Sequence, residues 1–317
     1  MVSSSPTCQP TEAPHRLESL SFALVRGCLG ACLAVLVFVL AGCGPGDTPP
    51  AAPTGALIVQ QGPLSGPPSL VSYQLDGTEP SGLVPGPDGA AAGRWAPDGQ
   101  RLLWIQRSAD GTVALVVGDP DGTTSSVVAT VGAGDTATWA PDCRRLAVSL
   151  RDDSTGAQAL QLLTLDASAV SSLDTDVDGA SPDWSPSGDV VVFAGDRGGD
   201  TDIVVLDLAD GTERQLTDNT VGDTGPRWSP DGDRIAWASR VNERKQIFVM
   251  GADGSAKMQL TVGMNGGEHP VWSPDGEWIA YQQAGTALAI MRADGSDHRL
   301  LDIVGIPTDW GPPTGSC

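Results

Sequence analysis

Hydrophobic residues along this chain come in short runs that turn-forming residues separate at a regular interval. One stretch shows the pattern: Trp228-Ser229-Pro230-Asp231-Gly232 is followed by the apolar segment 234–239 (RIAWAS). Proline presets the first corner of a turn, and glycine accepts the positive φ that completes a short hairpin loop. The stretch therefore predicts a strand that ends in tryptophan, a tight turn, and a second strand that is buried on both faces.

This stretch is one of five near-complete copies, and a sixth, degenerate copy lies near the C-terminal end of the chain. The copies begin at six tryptophans: Trp95, Trp139, Trp184, Trp228, Trp272 and Trp310. The first five tryptophans lie 44, 45, 44 and 44 residues apart. Self-similarity at a period of about 40 to 45 residues is typical of β-propellers and solenoids. We expect the six tryptophans to be structural anchors that pack between repeats.

Two further strands are predicted in each repeat. The third strand, as in Ile203 to Gly211 and Ile247 to Gly254, ends at an Asp-Gly pair that favours a hairpin. The fourth strand is shorter and more polar, as in Glu213 to Thr217 and Lys257 to Thr261, which suits an exposed sheet edge. Four antiparallel strands in about 44 residues make one propeller blade, so the sequence predicts an all-β propeller.

The terminal segments predict how the ring closes. Ala56 to Gln61 (ALIVQQ) matches a second strand, and no tryptophan-led first strand precedes it. Ile306 to Trp310 at the other end of the chain supplies that first strand. We therefore expect a six-bladed propeller over residues 56–317, with four-stranded antiparallel blades and one blade shared by the N- and C-terminal strands. Closure of this kind removes the open edges of the ring.

The repeat, with the segment 193–207 (FAGDRGGDTDIVVLD) after it, resembles the TolB-type propeller repeat, a relative of WD repeats. The resemblance covers residues 56 to 311. It departs at Cys143 and Ser187, which replace turn residues, and in the degenerate sixth copy. The resemblance implies a propeller that docks an envelope lipoprotein through the mouth of its channel.

The first 42 residues are predicted to be a lipoprotein signal peptide. Arg16 and Arg26 precede the uncharged segment 27–42, which is shorter than the roughly 20 residues of a membrane span. A basic flank and small residues at the end of such a run are typical of a secretory signal. The segment 40–43 (LAGC) resembles a bacterial lipobox, which implies lipidation of Cys43; an uncleaved anchor and ordinary secretory cleavage are the alternatives. Residues 43–55 follow as a flexible tether rich in proline and alanine, so we expect an exported, extracytoplasmic protein that is lipid-anchored to the membrane.

The charge of the chain is strongly negative, with 18 basic and 39 acidic residues and a net charge of -21. This charge disfavours a nucleic-acid partner, because a polyanion would be repelled. Solubility is one explanation of the charge. Several acidic residues, however, are predicted in the connections between blades, near the mouth of the channel. We expect this acidic loop face to bind an envelope protein or peptide through Asp135, Asp183, Asp223, Glu268, His269 and Asp309.

A second acidic feature is the segment 174–179 (DTDVDG), whose alternate carboxylates and glycine are typical of a calcium loop. The twelfth position of such a loop should be glutamate, and here it is Ser185. A calcium site at Asp174, Asp176 and Asp178 and a solvated acidic loop are therefore both open. We expect no other cofactor.

The remaining reactive residues are few. Cys143 and Cys317 follow the tether in an oxidising compartment, yet they fall on blades that are not neighbours, so a disulfide between them is left open. His269 and His298 are the histidines after the signal peptide, and the sequence has no Gly-x-Ser-x-Gly elbow, His-Glu-x-x-His helix or phosphate-binding loop. We therefore expect a monomeric, non-catalytic propeller that binds a protein or peptide. The alternative is a propeller that binds or senses a small molecule, a glycan or a divalent cation.

Overall fold

The computed structural model describes residues 53–62, 67–75, 79–84, 89–132, 134–151, 158–165, 169–172, 178–196, 199–263, 265–283 and 287–311. Over these residues the chain forms 24 strands in six four-stranded antiparallel sheets. Each sheet is one blade. Among these residues there is no helix long and apolar enough to span a bilayer. The predicted signal peptide and Cys43 lie outside the described residues.

Blades 1 to 3 take up the first part of the chain and its last strand. Blade 1 contains β1 (Ala56–Gln61), β2 (Ser69–Gln74), β3 (Ser81–Leu83) and the C-terminal β24 (Ile306–Gly311). Blade 2 contains β4 (Ala90–Trp95), β5 (Leu102–Arg107), β6 (Val113–Gly118) and β7 (Ser125–Thr130). Blade 3 contains β8 (Thr136–Trp139), β9 (Arg145–Arg151), β10 (Gln158–Thr164) and β11 (Ala169–Ser172).

Blades 4 to 6 follow in chain order. Blade 4 contains β12 (Asp178–Trp184), β13 (Val190–Asp196), β14 (Thr201–Asp207) and β15 (Glu213–Gln215). Blade 5 contains β16 (Asp223–Trp228), β17 (Arg234–Val241), β18 (Arg244–Gly251) and β19 (Met258–Gln259). Blade 6 contains β20 (Glu268–Trp272), β21 (Trp278–Gln282), β22 (Ala287–Arg292) and β23 (Arg299–Val304).

The predicted closure of the ring is confirmed, because β24 pairs with β1 in blade 1. Leu57 lies opposite Trp310 in this pair, and the indole Nε1 of Trp310 donates a hydrogen bond of 3.1 Å to the carbonyl oxygen of Thr54. The inner strands of successive blades also contact one another all the way around, from β4 through β24 and back to β4. The two ends of the described chain therefore form one blade of a closed six-bladed ring.

The repeated turn between the first and second strands works as its residues predict. In blade 5 the N–H of Gly232 donates to the carbonyl oxygen of Ser229 at 2.9 Å, and Gly232 has a φ of 77°. The carboxylate of Asp231 accepts the N–H of Asp233 at 3.0 Å. Glycine adopts this φ without steric cost, and the aspartate satisfies a main-chain donor that the turn leaves free.

The predicted third strands are shifted relative to the structure. β14 and β18 begin at Thr201 and Arg244, before the predicted starts, and they end at Asp207 and Gly251. The Asp-Gly pairs that were assigned to the strand ends lie in the turns that follow. Gly211 and Gly254 have a positive φ, which residues within a regular β-strand do not adopt. Each strand therefore ends before its Asp-Gly pair, and the pair belongs to the turn.

The hydrophobic core lies between neighbouring blades. One cluster joins Ile247 and Val249 of blade 5 to Trp272 and Tyr281 of blade 6. Another joins blade 6 to the shared blade 1 and includes Trp278 and Trp310. The outer strands are mostly exposed, as the polar sequence of the fourth strands predicts. Each blade therefore packs against its two neighbours, and the burial of apolar surface between blades stabilises the ring.

The ring has two faces, which we name after their loops. The turn face carries the tryptophan-led turns between the first and second strands. The connection face carries the links from one blade to the next and the hairpins between the second and third strands. The start of the described chain lies at the turn face, because a Cβ at Gly55 would lie 3.2 Å from Pro274 and 3.3 Å from Trp310.

Candidate functional site

The residue before each repeat tryptophan lies at the central channel. These six channel residues are, in ring order, Asp309, Arg94, Thr138, Asp183, Arg227 and Val271. Arg94 in blade 2 reaches Asp183 in blade 4 at 3.4 Å between Nη1 and Oδ1. Such a contact between blades that are not neighbours requires both side chains to point into the channel. The channel is therefore crossed by charged side chains close to the turn face.

A recurrent bulge in the inner strands directs these side chains inward. The register of β4, β12, β16 and β20 shifts just before the channel residue. Each bulge contains a residue with a positive φ three positions before the tryptophan; these residues are Ala92, Ser181, Gly225 and His269. A bulge adds one residue to a strand and re-aims the side chains that follow it.

Asp183 and Asp309 occupy equivalent places in the opposite blades 4 and 1. Asp183 Oδ2 accepts the main-chain N–H of Trp228 at 2.8 Å, and Asp309 Oδ2 accepts that of Trp95 at 2.7 Å. In both cases the donor belongs to the next blade of the ring. Asp183 Oδ1 also accepts the hydroxyl of Thr138 at 3.3 Å. These two carboxylates thus join neighbouring blades as well as lining the channel.

Burial shifts the pKa values of two of these channel residues. Burial raises the pKa of Asp309, while the nearby charge of Arg94 and the hydrogen bond from the N–H of Trp95 oppose the rise. Burial, together with the charge of Arg94, lowers the pKa of Arg227 to about 10, so its guanidinium remains charged at neutral pH. Both side chains are half-buried and line an open pocket. Shifts of this kind are typical of binding and catalytic sites, although structural ion pairs also produce them.

The guanidinium of Arg227 is the least satisfied group of the ring. Its Nη1 donates to the carbonyl oxygen of Pro226 at 3.3 Å, and its buried Nε has no hydrogen-bond partner. Among the described residues no carboxylate oxygen lies within 4.0 Å of it, although Asp183 and Asp309 influence its charge from further away. The buried Nε is not accessible, but Arg227 as a whole is half-buried and lines a pocket, so its outer guanidinium N–H groups are available to a ligand.

A pocket of about 370 Å³ opens above this ring on the turn face, and we call it the channel pocket. Its floor contains the four charged channel residues, and its walls contain Trp228, Trp272 and Trp310 with Pro230 and Pro274. A smaller pocket of about 190 Å³ lies beside it, against Trp95 and Trp139. The larger volume lies at the lower end of the range of ligand pockets, which is about 300 to 1,000 Å³.

One substitution in the repeat explains why Trp228 is uncovered. Six residues after the tryptophan, blades 2, 3 and 5 carry an arginine that stacks over the tryptophan of the next blade, at 5.0, 5.0 and 4.7 Å from the ring centre. Blade 4 has Val190 at this position, so no arginine covers Trp228, which is half-buried. The absence of arginine at position 190 is the signal by which the sequence could have indicated this pocket.

The predicted acidic face is only partly assembled. Asp135, Asp223 and Glu268 lie at the connection-face ends of the inner strands, whereas Asp183 and Asp309 lie at the opposite ends. The expectation that all of these residues share one rim is therefore corrected. The reason is that the inner strand crosses the ring from one face to the other, and the residue before the tryptophan has completed the crossing.

Two of the remaining acidic residues serve the fold. Asp135 is buried and accepts the N–H of Arg151 at 3.0 Å, and Asp223 is buried and accepts the side-chain amide of Asn219 at 2.8 Å. Glu268 is accessible, and its Oε2 lies 3.0 Å from Lys245 Nζ. His269 follows it on the surface, with its Nε2 4.0 Å from Glu268 Oε2. Of the predicted partner-binding set, Glu268 and His269 thus remain as an exposed pair on the connection face.

Turn chemistry accounts for much of the negative charge. Ten aspartates accept the main-chain N–H two residues further along; they are Asp98, Asp110, Asp121, Asp142, Asp207, Asp210, Asp231, Asp253, Asp275 and Asp294. This is the ordinary role of aspartate in turns. Most of the ten lie at the turn face, so the acidic residues are not confined to the connections between blades.

The predicted calcium site lies largely outside the described residues. Asp174 and Asp176 are not described, and Asp178 is described as the first residue of β12 without its side chain. In the described ranges no group of three or more His, Cys, Asp or Glu side chains is arranged to hold a metal ion. Of the two histidines, His298 Nδ1 lies 3.0 Å from the hydroxyl of Tyr281, whose pKa burial raises to about 12.

Comparison with known proteins agrees with this architecture. The family model of the TolB β-propeller domain matches residues 175–306. No curated protein sequence matches the chain. The crystal structure of TolB from Acinetobacter baumannii is similar over 81% of this chain and 66% of that chain, just under two thirds, with 20% identity and a TM-score of 0.69.

Two further solved structures are similar. The TolB-type protein of Agrobacterium tumefaciens matches 81% of this chain and 92% of its own, with 22% identity and a TM-score of 0.63. An oligogalacturonate lyase in complex with manganese matches 77% of this chain and 73% of its own, with 18% identity and a TM-score of 0.54. At these identities the similarity concerns the fold, which is that of a TolB-like propeller.

Proposed function

We propose that this TolB-like propeller is an exported, lipid-anchored protein that binds an envelope protein or peptide and catalyses no reaction. We place the partner in the channel pocket. The observation that carries the proposal is the meeting of an uncovered tryptophan, Trp228, with the unsatisfied guanidinium of Arg227 in one open pocket. Tryptophan and arginine are the residues most enriched among those that dominate binding energy at protein interfaces.

The chemistry of the pocket favours a partner that inserts a carboxylate beside an apolar group. Arg227 has free N–H donors in the fork geometry that matches a carboxylate, and such charge-assisted bonds are strong. The tryptophans and prolines of the wall offer apolar surface to the rest of the inserted segment. A loop or tail of the partner could bind Arg227 through an acidic side chain or its C-terminal carboxylate. Apolar side chains beside that carboxylate could contact the wall.

Two alternatives come from other observations. The exposed pair Glu268 and His269 supports binding at the acidic part of the connection face, as the sequence predicted. The size of the channel pocket supports a small molecule or glycan as its occupant. A protein partner in the channel pocket would crosslink at a different position from a partner on the connection face. Its crosslinked adduct would also have a much larger mass than that of a small molecule or glycan.

Site-specific photo-crosslinking in cells tests the proposal. A photoreactive amino acid replaces Pro230, which is exposed on the wall of the channel pocket, in one variant and Glu268 in a second. The matched control is Val127, which is 66% exposed on the outer strand β7, away from both faces. We expect a discrete protein adduct from position 230 and none from position 127.

Each other outcome of the crosslinking contradicts the proposal. An adduct from position 268 alone would place the partner on the connection face. The absence of any protein adduct, with a small ligand that raises the melting temperature, would favour the sensor alternative. Arg227→Gln provides a further check, because it removes the positive charge but keeps a polar side chain, and it should abolish the adduct from position 230 if the charge of Arg227 holds the partner.

The lipid anchor is a separate part of the proposal. It is supported by the sequence before Cys43. We expect mass spectrometry of the mature protein to find acyl chains on Cys43. A mature protein in which Cys43 carries a free thiol would contradict the anchor.

A further inference from the structure

A second pocket lies on the connection face between blades 5 and 6, and its lining is rich in cations. This pocket, which we call the hairpin pocket, has a volume of about 320 Å³. Arg240, Arg244 and Lys245 contribute positive charge to it, whereas Glu243 and Glu268 contribute negative charge. A pocket with more cations than carboxylates is unexpected on a chain whose net charge is -21.

The hairpin that carries these cations has a defined shape. β17 and β18 pair as far as Val241 and Arg244, so Asn242 and Glu243 alone form the turn. Both turn residues have a positive φ, of 48° and 67°, as a type I′ turn requires. A two-residue turn of this type holds the ends of both strands in a fixed register, so the positions of Arg240 and Lys245 relative to each other are set by the sheet.

The two strands place like charges side by side. Arg240 lies directly opposite Lys245 in the register of β17 and β18, so their side chains emerge on the same side of the sheet. Like charges in this relationship are destabilising. Glu268 offsets one of them through its 3.0 Å ion pair with Lys245. In the part of the chain that the structure describes, Arg240 and Arg244 have no carboxylate oxygen within 4.0 Å.

Blade 6 forms the other wall of the pocket and approaches the hairpin closely. The N–H of Gly267 donates to the carbonyl oxygen of Lys245 at 2.8 Å. A Cβ at Gly266 would lie 2.6 Å from the same oxygen, so this position requires glycine. Asn265 and Gln282 add side-chain amides to the lining. The cations therefore face a fixed wall that carries neutral hydrogen-bonding groups.

We propose that the hairpin pocket binds a small polar anion, with one phosphate or carboxylate group held by Arg240 and Lys245, which emerge on the same side of the sheet, and neighbouring hydroxyls held by the amides. The volume of the pocket fits a molecule of monosaccharide size rather than a segment of protein. Arginine matches phosphate and carboxylate alike through paired N–H donors. At physiological salt, charges more than about 8 Å away are largely screened, so the negative charge elsewhere on the chain does not prevent binding.

Calorimetric titration with three related sugars tests the proposal. The chain from residue 44 contains every strand of the closed ring and is titrated with glucose 6-phosphate, glucuronate and glucose. We expect saturable binding of at least one of the charged sugars and none of glucose. Whichever charged sugar binds more tightly identifies the group, phosphate or carboxylate, that Arg240 and Lys245 hold.

Two variants separate this site from a general effect of charge. Arg240→Gln should weaken binding about tenfold or more, because hydrogen bonds to charged groups contribute most of the affinity of such ligands. Arg107→Gln is the control: Arg107 is also exposed, at the end of β5, on the hairpin of blade 2. Its removal should leave the affinity unchanged within about twofold, because it is far from the ligand.

The stability of the variants gives an independent readout. Arg240→Gln removes the repulsion with Lys245, so its melting temperature should equal or exceed that of the parent chain. A lower melting temperature would mean that Arg240 has a structural role. Equal binding of glucose, equal loss of affinity in Arg107→Gln, or no saturable binding of either charged sugar would each overturn the proposal.

Discussion

Asp309 and Trp95 are joined by a hydrogen bond of 2.7 Å between residues that lie 214 positions apart in the chain. The carboxylate of Asp309, on the C-terminal strand, accepts the main-chain N–H of Trp95, at the end of the inner strand of blade 2. The equivalent bond between Asp183 and Trp228 joins blades 4 and 5. The polar floor of the channel pocket is therefore also part of what holds the ring closed.

We expect Asp309→Ala to lower the free energy of unfolding by about 1 to 3 kcal/mol, because it leaves the N–H of Trp95 without an acceptor in a protein interior. Urea denaturation measures this change. Asp183→Ala removes the equivalent bond and should cause a similar loss. Asp302→Ala is the control on an exposed position of β23, where a change within about 0.5 kcal/mol is expected. A loss at Asp309 no larger than at Asp302 would contradict the role of the bond.

The raised pKa of Asp309 predicts a specific pH dependence. Because burial raises the folded pKa above the unfolded value of 3.8, the folded state holds this proton more tightly. The contribution of Asp309 to stability is therefore full below pH 3.8 and is lost as the pH rises through the folded pKa. An asparagine side chain cannot ionise, so the stability of Asp309→Asn relative to the parent chain should increase as the pH rises above about 4.

Urea denaturation of both proteins at several pH values between about 4 and 8 measures this difference. The exposed turn aspartates, such as Asp210 and Asp253, have lowered pKa values because side-chain and main-chain hydrogen bonds stabilise their charged forms. Their contribution has the opposite sign and is lost as the pH falls, equally in both proteins. A constant difference between Asp309→Asn and the parent chain across this range would disprove the expected shift.

The shared blade should be as well packed as the others. Trp310 is 4% exposed and Trp272 is 6% exposed, and each indole N–H is hydrogen-bonded at 3.1 Å. We expect Trp310→Ala and Trp272→Ala each to cost about 3 to 5 kcal/mol, as is typical of a buried tryptophan. Equilibrium denaturation compares them. A much smaller cost for Trp310→Ala would mean that blade 1 opens independently of the ring.

We predict that a disulfide joins Cys143 to the C-terminal Cys317. Cys143 is disulfide-bonded, and its partner lies outside the described residues, within which Cys143 is the sole cysteine. If the signal peptide is removed and Cys43 is lipidated, Cys317 is the remaining cysteine of the chain. We expect mass spectrometry without reduction to find a peptide that links Cys143 to Cys317, and free thiols at both positions would contradict this.

The backbone at Cys143 supplies two matched variants. Cys143 has a φ of 55° at a turn position where the blades on either side have Gly99 and Gly188. Both Cys143→Ser and Cys143→Gly remove the disulfide, which should cost about 2 to 5 kcal/mol. Glycine also removes the strain of a positive φ, so Cys143→Gly should be more stable than Cys143→Ser by about 1 kcal/mol. Equal stabilities would mean that this turn stores no strain.

The architecture could be predicted from the sequence because its determinants are local. The period of the tryptophans, the Pro-Asp-Gly turns and the polar fourth strands each act within a single blade. The closure of the ring could also be predicted from the sequence, because Ala56 to Gln61 has the pattern of a second strand and no tryptophan-led first strand precedes it. The structure confirms β1 at those same bounds.

The candidate site could not be predicted in the same way, because it depends on contacts between blades. Arg94 and Asp183 lie 89 residues apart and meet only across the channel. Asp183 and Asp309 were assigned to the wrong end of the inner strands, since distance along the sequence from a connection does not show which face a residue has reached. The hairpin pocket likewise combines β17 and β18 of one blade with the start of the next blade.

The pairing of β1 with β24 also determines the order in which the ring can fold. Five blades are continuous segments and can form as soon as each has been synthesised, whereas the remaining one joins residues about 250 positions apart. Contacts between segments that are distant in the chain form slowly because the loop between them must first be closed. We therefore expect the folding chain to pass through an open arc of five blades, whose two terminal blades expose apolar surface until the last strand is in place.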